Sequence, residues 1–292
     1  MKNSQLQIPD TWVYKSKKPG NTVTILGGVH GNESAGIQVV DSLKQLLKKE
    51  VLKSGTLQLA YGNTQAMHAS PPVRSIHPKD MNKSFGHPVL DENGKITFES
   101  LRANLLKGML AQSDVMFDVH STIKPSHPHI IVPNLKYPLA ASMVNQIGIP
   151  TVITGKGLFP PSGDPIYTDT FTASCGGLGM TIEAGWSENP DIGKIQTGII
   201  NALMELGILH GKPSPTAMQA EYWDAYWNVI AGDGFKFTKE FGNFEKIQAG
   251  ESFAESDGEP LSVETDSIIL YPKSKIVPAQ EACIIAKKVE ME

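Results

Sequence analysis

A chain of 292 residues with 40% hydrophobic and 19% charged residues is long enough to bury a sizeable core, and its composition is that of an ordinary globular protein, not a disordered one. Its formal net charge of −4 and pI near 6.1, without a basic block or an aromatic-plus-arginine stripe, give no electrostatic reason to expect nucleic acid or an anionic membrane as a partner. Cys175 and Cys283 lie far apart, no apolar run reaches membrane-spanning length, and the leading Met1–Gln7 stretch lacks the apolar core of a secretion signal, so the expectation is a protein of the reducing cytoplasm.

In chain order, Val23–Leu26 reads as a buried strand, followed by Gly27 and Gly28, which permit a tight turn, and then by His30 and Glu33. From Ala35 to Leu52, Ile37, Val40, Leu43, Leu47 and Val51 recur at helical spacing. Leu57–Tyr61 is a second strand. Residues 62–95, rich in proline, glycine, asparagine and histidine, form one long loop of the kind that is functional or disordered. A helix over Glu99–Leu110 leads into a strand over Val115–Val119. Ile130–Val132 and Thr151–Ile153 are further strands, and after a loop rich in glycine, proline and aspartate comes the run Met180–Glu183. Ile192–Leu209 is a helix with Ile195, Ile199, Leu203 and Leu206 on one face. This alternation predicts a layered α/β domain.

The character changes after Pro213-Ser214-Pro215, where short apolar or alternating runs separated by glycine and proline predict a small all-β unit. The division is placed at residue 215, giving 1–215 and 216–292. Trp223 and Trp227, four apart, read as a packed helix face.

Three apolar runs end in residues suited to metal chemistry. His30, Glu33 and His120 supply two imidazoles and a carboxylate, a hydrolytic zinc set that leaves a coordination position for water. Glu183 is the candidate base that takes a proton from that water and returns it to a leaving amine. In open α/β sheets ligands gather at the carboxyl ends of strands, so these residues converge if their strands are neighbours. Asp118 is placed to orient a histidine ligand or to support the strand end. Tyr167 is a candidate for a hydrogen bond to substrate. His127 and His129 have no acidic cluster beside them and are expected to line the site loop or face solvent, while His68, His77 and His87 fall in the long loop. Cys175 lacks the histidine context of a cysteine hydrolase. No Gly-x-Ser-x-Gly elbow, phosphate-binding loop or dinucleotide fingerprint is present, which removes support for serine hydrolase, nucleotide triphosphatase and dehydrogenase readings.

Gly28-Val29-His30-Gly31-Asn32-Glu33 resembles the Gly-x-His-Gly-x-Glu motif of the succinylglutamate desuccinylase/aspartoacylase family, a branch of the zinc carboxypeptidase-like hydrolases. Asp118-Val119-His120-Ser121-Thr122 is similar to its Asp-Leu-His-x-Thr segment, and Ile182-Glu183-Ala184-Gly185 to its catalytic-glutamate segment. Asp80-Met81-Asn82-Lys83-Ser84-Phe85 is similar to Asp-Leu-Asn-Arg-x-Phe. The match runs over roughly residues 20–210.

The resemblance implies a three-layer α/β/α mixed-sheet domain with a small C-terminal lipoyl/biotinyl-like β domain. It implies one Zn2+ ion on His30, Glu33 and His120, with Glu183 as general base and acid and Arg74 polarising the scissile carbonyl. Asn82 and the following cation would hold a substrate carboxylate. Lys83 stands where arginine is usual, keeping the charge but losing the planar two-pronged grip. Asp266 lies where a carrier domain would need a lysine, so a structural or pocket-lidding role is expected of the β unit. The implied activity is hydrolysis of the amide bond of an N-acyl amino acid or similar small carboxylate-bearing amide. A metallocarboxypeptidase and a non-catalytic metal-dependent binding protein are the alternatives, and a homo-oligomer is left open.

Overall fold

The computed structural model describes residues 8–48, 51–77, 80–159, 163–164, 166–215 and 217–290. The leading Met1–Gln7 run, residues 49–50 of the expected first helix, Pro165 and residue 216 lie outside these. The chain runs through β1 (Thr11–Lys15), β2 (Thr22–Gly27), α1 (Ser34–Leu47), β3 (Thr56–Tyr61), α2 (Thr64–His68), α3 (Phe98–Leu110), β4 (Val115–Thr122), β5 (His129–Ile131), α4 (Ala140–Ile147), β6 (Thr151–Thr154), α5 (Thr168–Ser174), β7 (Leu178–Trp186) and α6 (Ile192–Glu205). The C-terminal region then adds β8 (Glu221–Ile230), β9 (Lys236–Phe237), β10 (Glu245–Ile247), β11 (Ser252–Ser256), β12 (Glu259–Ser262), β13 (Ser267–Leu270) and β14 (Glu281–Val289).

Eleven strands form one mixed sheet in the order β1-β3-β2-β4-β7-β5-β6-β8-β14-β13-β10, and β12-β11-β9 form a second, small sheet. β3, β2, β4 and β7 run parallel, which brings the ends of β2, β4 and β7 to one rim. Because strand side chains alternate between faces, each central strand serves two layers. Val23 and Ile25 of β2, with Val115, Phe117 and Val119 of β4, pack against α1, α4 and α6. Leu26 and Met116 face the other way, into a cluster with Ala103, Leu106 and Leu110 of α3 and Phe171 of α5. Helices therefore cover both faces.

Glycine allows the closest of these approaches. A Cβ on Gly27 would lie 2.2 Å from the Gly36 carbonyl, so α1 can rest against the end of β2 only without one. Gly28 then turns the chain with φ +70°, a conformation that costs glycine little.

Several expectations need correction. The first helix ends at Leu47, not Leu52; its buried face is Ala35, Gly36, Val39, Val40, Leu43 and Leu47, and Val51 is 78% exposed. The long loop contains α2 and a 3-10 turn over Met81–Lys83. Trp223 and Trp227 lie on strand β8, not on a helix; a separation of four satisfies the two-residue strand period as well as a helical turn. The C-terminal region is β-rich as expected, and it joins the central sheet, since β8 pairs in parallel with β6 from Thr151↔Glu221 to Thr154↔Asp224. It also has a buried cluster of its own, including Phe241, Phe253, Ile269 and Ile285.

Candidate metal centre and cleft

β4 and β7 lie side by side with His120 opposite Glu183, and β5 continues the row with His129 opposite Glu183. Residues paired across a ladder share a face, so His120, Glu183 and His129 project to the same side of the sheet. That side is opposite Val119 and Ile182, which belong to the cluster under α1, α4 and α6. His120 lies within β4, which runs to Thr122, and not past its end. The ladder loses its register between His120 and Thr122. Ser121, in that irregularity, donates its N–H to Glu33 Oε2 at 3.1 Å, consistent with the use of bulges to redirect groups near sites.

His30 and Glu33 occupy the turn between β2 and α1. The Glu33 N–H donates to the His30 carbonyl at 3.1 Å, and Glu33 is the extended residue before α1, not part of a helical turn shared with His30. Its side chain faces the histidines: His30 Nδ1 lies 2.8 Å from Glu33 Oε1, and His120 Nδ1 lies 3.0 Å from Glu33 Oε2 and 3.0 Å from His30 Nδ1. All three residues are buried, and their ligand atoms lie within 4.8 Å of one another. They are the one group of this kind among the described residues. Two imidazole nitrogens and a carboxylate oxygen are the donor set of a catalytic zinc site.

Carboxylates stand behind both rings. His30 Nε2 lies 2.9 and 3.0 Å from the two oxygens of Asp80, and His120 Nε2 lies 2.9 Å from Asp118 Oδ2. The His120–Asp118 contact is close but poorly aligned for a hydrogen bond, and Asp118 Oδ2 also accepts from Thr168 Oγ1 at 2.6 Å. Such partners direct the other ring nitrogen of each histidine, Nδ1 here, toward a cation. Burial would lower the His30 pKa, but the charges of Glu33 and Asp80 outweigh it and raise it. Burial would likewise raise Glu33, yet the neighbouring histidines hold it well below the usual carboxylate range.

Glu183 behaves differently. Burial and the charge of Glu33 push its pKa up to about 7 against the opposing pull of His120, His30 and Arg74, and its buried Oε2 has no hydrogen-bond partner. Arg74 donates through Nη1 to Glu33 Oε1 at 2.8 Å and through Nη2 to Asp80 Oδ2 at 2.9 Å. A guanidinium has five N–H donors, so two such bonds leave others for a ligand.

Asn82, Lys83 and Tyr167 line the same cavity as His30, Glu33, Arg74, His120 and Glu183, a space of about 450 Å³ that suits a small molecule. Asn82 Oδ1 accepts from the Thr168 N–H at 3.4 Å, tying the 3-10 turn to the start of α5, and Tyr167 directly precedes that helix. Lys83 is exposed. His68, His77, His87, His127 and His129 are not among the lining residues, His129 being fully buried instead of lining the loop or facing solvent, and Cys175 is exposed.

Sequence reasoning gives Asp80 a place in a motif but no work to do, although an acidic residue close to an asparagine and a cation is an available signal. Asp169 also escapes it: this residue is buried in the cleft wall, accepts from Thr181 Oγ1 at 2.8 Å and the Thr170 N–H at 2.6 Å, and is raised to about 6 by burial. Asn243, Tyr271, Lys273 and Glu281 are among the lining residues that the C-terminal region supplies, and nothing local in sequence marks them.

Residues 19–203, more than half of the chain, match the family described as the succinylglutamate desuccinylase/aspartoacylase catalytic domain. A probable aspartoacylase of Nostoc sp. is 27% identical over 189 residues, covering 62% of this chain and 58% of that protein. A succinylglutamate desuccinylase of Serratia proteamaculans is 25% identical over 276 residues, covering 87% of this chain and 81% of its own length. This chain thus spans less than two thirds of the first relative and about four fifths of the second. The crystal structure of a succinylglutamate desuccinylase from Vibrio parahaemolyticus superposes with a TM-score of 0.77 at 17% identity, covering 96% of this chain and 86% of that one, which shows a shared fold.

Proposed function

The chain belongs to the succinylglutamate desuccinylase/aspartoacylase catalytic-domain family, and from that premise we propose that it hydrolyses the acyl C–N bond of an N-acyl amino acid or a similar small carboxylate-bearing amide, using one zinc ion. The observation that carries this reading is the buried, unpartnered Oε2 of Glu183 in the cavity that also holds His30, Glu33 and His120.

His30 Nδ1, Glu33 and His120 Nδ1 would hold the ion. When bound, it supplies Lewis-acid polarisation and an activated water at neutral pH. Glu183, whose carboxyl is raised by burial and by the charge of Glu33, is the group that takes a proton from the attacking water and gives it to the leaving nitrogen. The free donors of Arg74 stabilise the oxyanion. Asn82 and Lys83 bind the substrate carboxylate, and Tyr167 donates a hydrogen bond to it. Asp80 and Asp118 fix the histidine rings.

We assign the reaction to the region up to residue 215 and cleft walling to residues 216–292, a small β unit of lipoyl/biotinyl-like pattern. Asp266 of that unit accepts a hydrogen bond from the Ala249 N–H at 3.0 Å, which suits a structural role over a cofactor arm. A cleft walled by Asn243, Tyr271 and Glu281 favours short substrates over peptides, hence a deacylase over a carboxypeptidase.

The test is metal analysis and kinetics of Glu183→Gln, alongside assays of wild-type protein on N-acyl amino acids and peptides. The variant should retain its zinc and lose about 10²–10⁴-fold in turnover. Unchanged turnover removes Glu183 from the mechanism, and preference for peptides overturns the deacylase assignment.

A further inference from the structure

His129 lies in the row of site residues but has no place in the chemistry above. It is fully buried, and Nδ1 lies 3.0 Å from the His127 carbonyl oxygen while Nε2 lies 2.6 Å from the Tyr271 hydroxyl. A carbonyl oxygen only accepts, so Nδ1 carries a proton. Burial lowers His129 to about 4, so at neutral pH the ring is uncharged and holds that one proton only. Nε2 is therefore bare, and the Tyr271 O–H donates to it.

The consequence falls on Tyr271, which lines the cleft. With its hydrogen committed to His129, its oxygen has lone pairs alone left to offer a ligand. The placement is enforced by several contacts across the sheet. Tyr271 has φ 53° and Phe244 has φ 65°, both in the left-handed region that bulky residues avoid. The Tyr271 N–H donates to Asn243 Oδ1 at 2.8 Å, and Asn243 Nδ2 donates to Ser126 Oγ at 3.0 Å. The Phe244 ring packs on both histidines, with centroids 4.2 Å from His127 and 4.9 Å from His129.

We propose that His129 is a positioning residue that makes the Tyr271 hydroxyl an obligate hydrogen-bond acceptor in the cleft, and that Tyr271 reads the N–H of the scissile amide. This rests on the hydrolytic reading above. His129 is paired with Glu183 across β5 and β7 and its Nε2 lies 2.6 Å from the Tyr271 hydroxyl, which places the phenol on the Glu183 side of the site. Burial, with the Glu183 charge adding to it, accordingly raises the Tyr271 pKa. Glu183 must approach the leaving nitrogen to protonate it. An acceptor beside Glu183 meets the hydrogen already on that nitrogen, and holding it turns the nitrogen lone pair toward Glu183. The substrate class so selected is secondary amides, over tertiary amides and esters, which lack the N–H.

The test compares a secondary amide with the ester of identical acyl and carboxylate groups on the zinc-loaded enzyme. Tyr271→Phe should lower kcat/KM for the amide about tenfold, the size of one hydrogen bond, and leave the ester within about twofold. His129→Leu should reproduce that amide-selective loss, and His129→Gln should restore most of it because its amide can accept from the phenol. The double variant, His129→Leu with Tyr271→Phe, should be no worse than Tyr271→Phe alone.

Imidazole ¹⁵N shifts of wild-type protein give a readout independent of turnover and of any variant's folding, and should show His129 neutral and protonated on Nδ1 at pH 7. An Nε2-protonated ring, or equal losses for amide and ester in an active enzyme, overturns the inference alone. A wild-type enzyme inert on every amide and ester overturns the hydrolytic reading and this inference with it.

Discussion

Asp80 meets His30 through both carboxylate oxygens, at 2.9 and 3.0 Å from Nε2, and so sets which nitrogen of that ring faces Glu33 and His120. The same carboxylate accepts from Arg74 Nη2 at 2.9 Å. One side chain therefore fixes both a ligand of the proposed ion and the group assigned to the oxyanion.

Asp80→Asn should weaken zinc binding about 10–100-fold, since an amide holds the ring less firmly and adds no basicity. Competition against a chromophoric chelator measures this. Affinity equal to wild type would show that Asp80 serves Arg74 alone.

Stripping zinc with a chelator should abolish hydrolysis and lower Tm while leaving the protein folded, because Arg74 and the two histidines neutralise Glu33 even without an ion. Circular dichroism with and without added zinc checks both parts. Complete unfolding on chelation would show that these ion pairs do not suffice.

Lys83 faces the cleft with a compact charge in place of a planar fork. Lys83→Ala should raise KM for a carboxylate-bearing amide about tenfold with little change in kcat, a loss within the range of a charged hydrogen bond, and Lys83→Arg should bring KM to or below the wild-type value. An Ala variant with unaltered KM would place the carboxylate elsewhere.

Beside the raised Glu183, the stability curve should include two further buried titrations of opposite sign. Asp169 has a folded pKa of about 6 against an ordinary 3.8, so the folded state holds the extra proton and stability falls as pH rises from 3.8 through 6, by roughly 3 kcal/mol. His129 has a folded pKa of about 4 against 6.5, so its contribution is complete above 6.5 and is lost as pH falls toward 4, again by roughly 3 kcal/mol. Denaturant titrations between pH 4 and 7 should show Asp169→Asn shifting the pH slope of stability upward relative to wild type and His129→Gln shifting it downward. Identical slopes in all three proteins would contradict both assignments.

The parts legible in sequence are those in which local pattern and tertiary role coincide. β2, β4 and β7 are buried on both faces and read as apolar runs, and the residues suited to metal chemistry interrupt or follow those runs. α5 escapes such a reading because Thr168–Ser174 is short and rich in threonine, with Asp169 and Thr170 buried by the site and not by an apolar stripe. β1, with alternating burial over Thr11–Lys15, is an edge strand whose pattern is too brief to stand out. The Tyr271–His129 contact joins positions 142 apart, and a single aromatic residue before a proline carries no sign of such a partner.

The parallel ladder between β6 and β8 also bears on how the gene can be shortened. Ending translation after residue 215 would strip Thr151–Thr154 of its neighbour and leave an unsatisfied row of amides and carbonyls along the middle of what had been a continuous sheet. Exposed margins of that kind recruit other chains. The trimmed product should clump on expression instead of yielding a minimal catalyst.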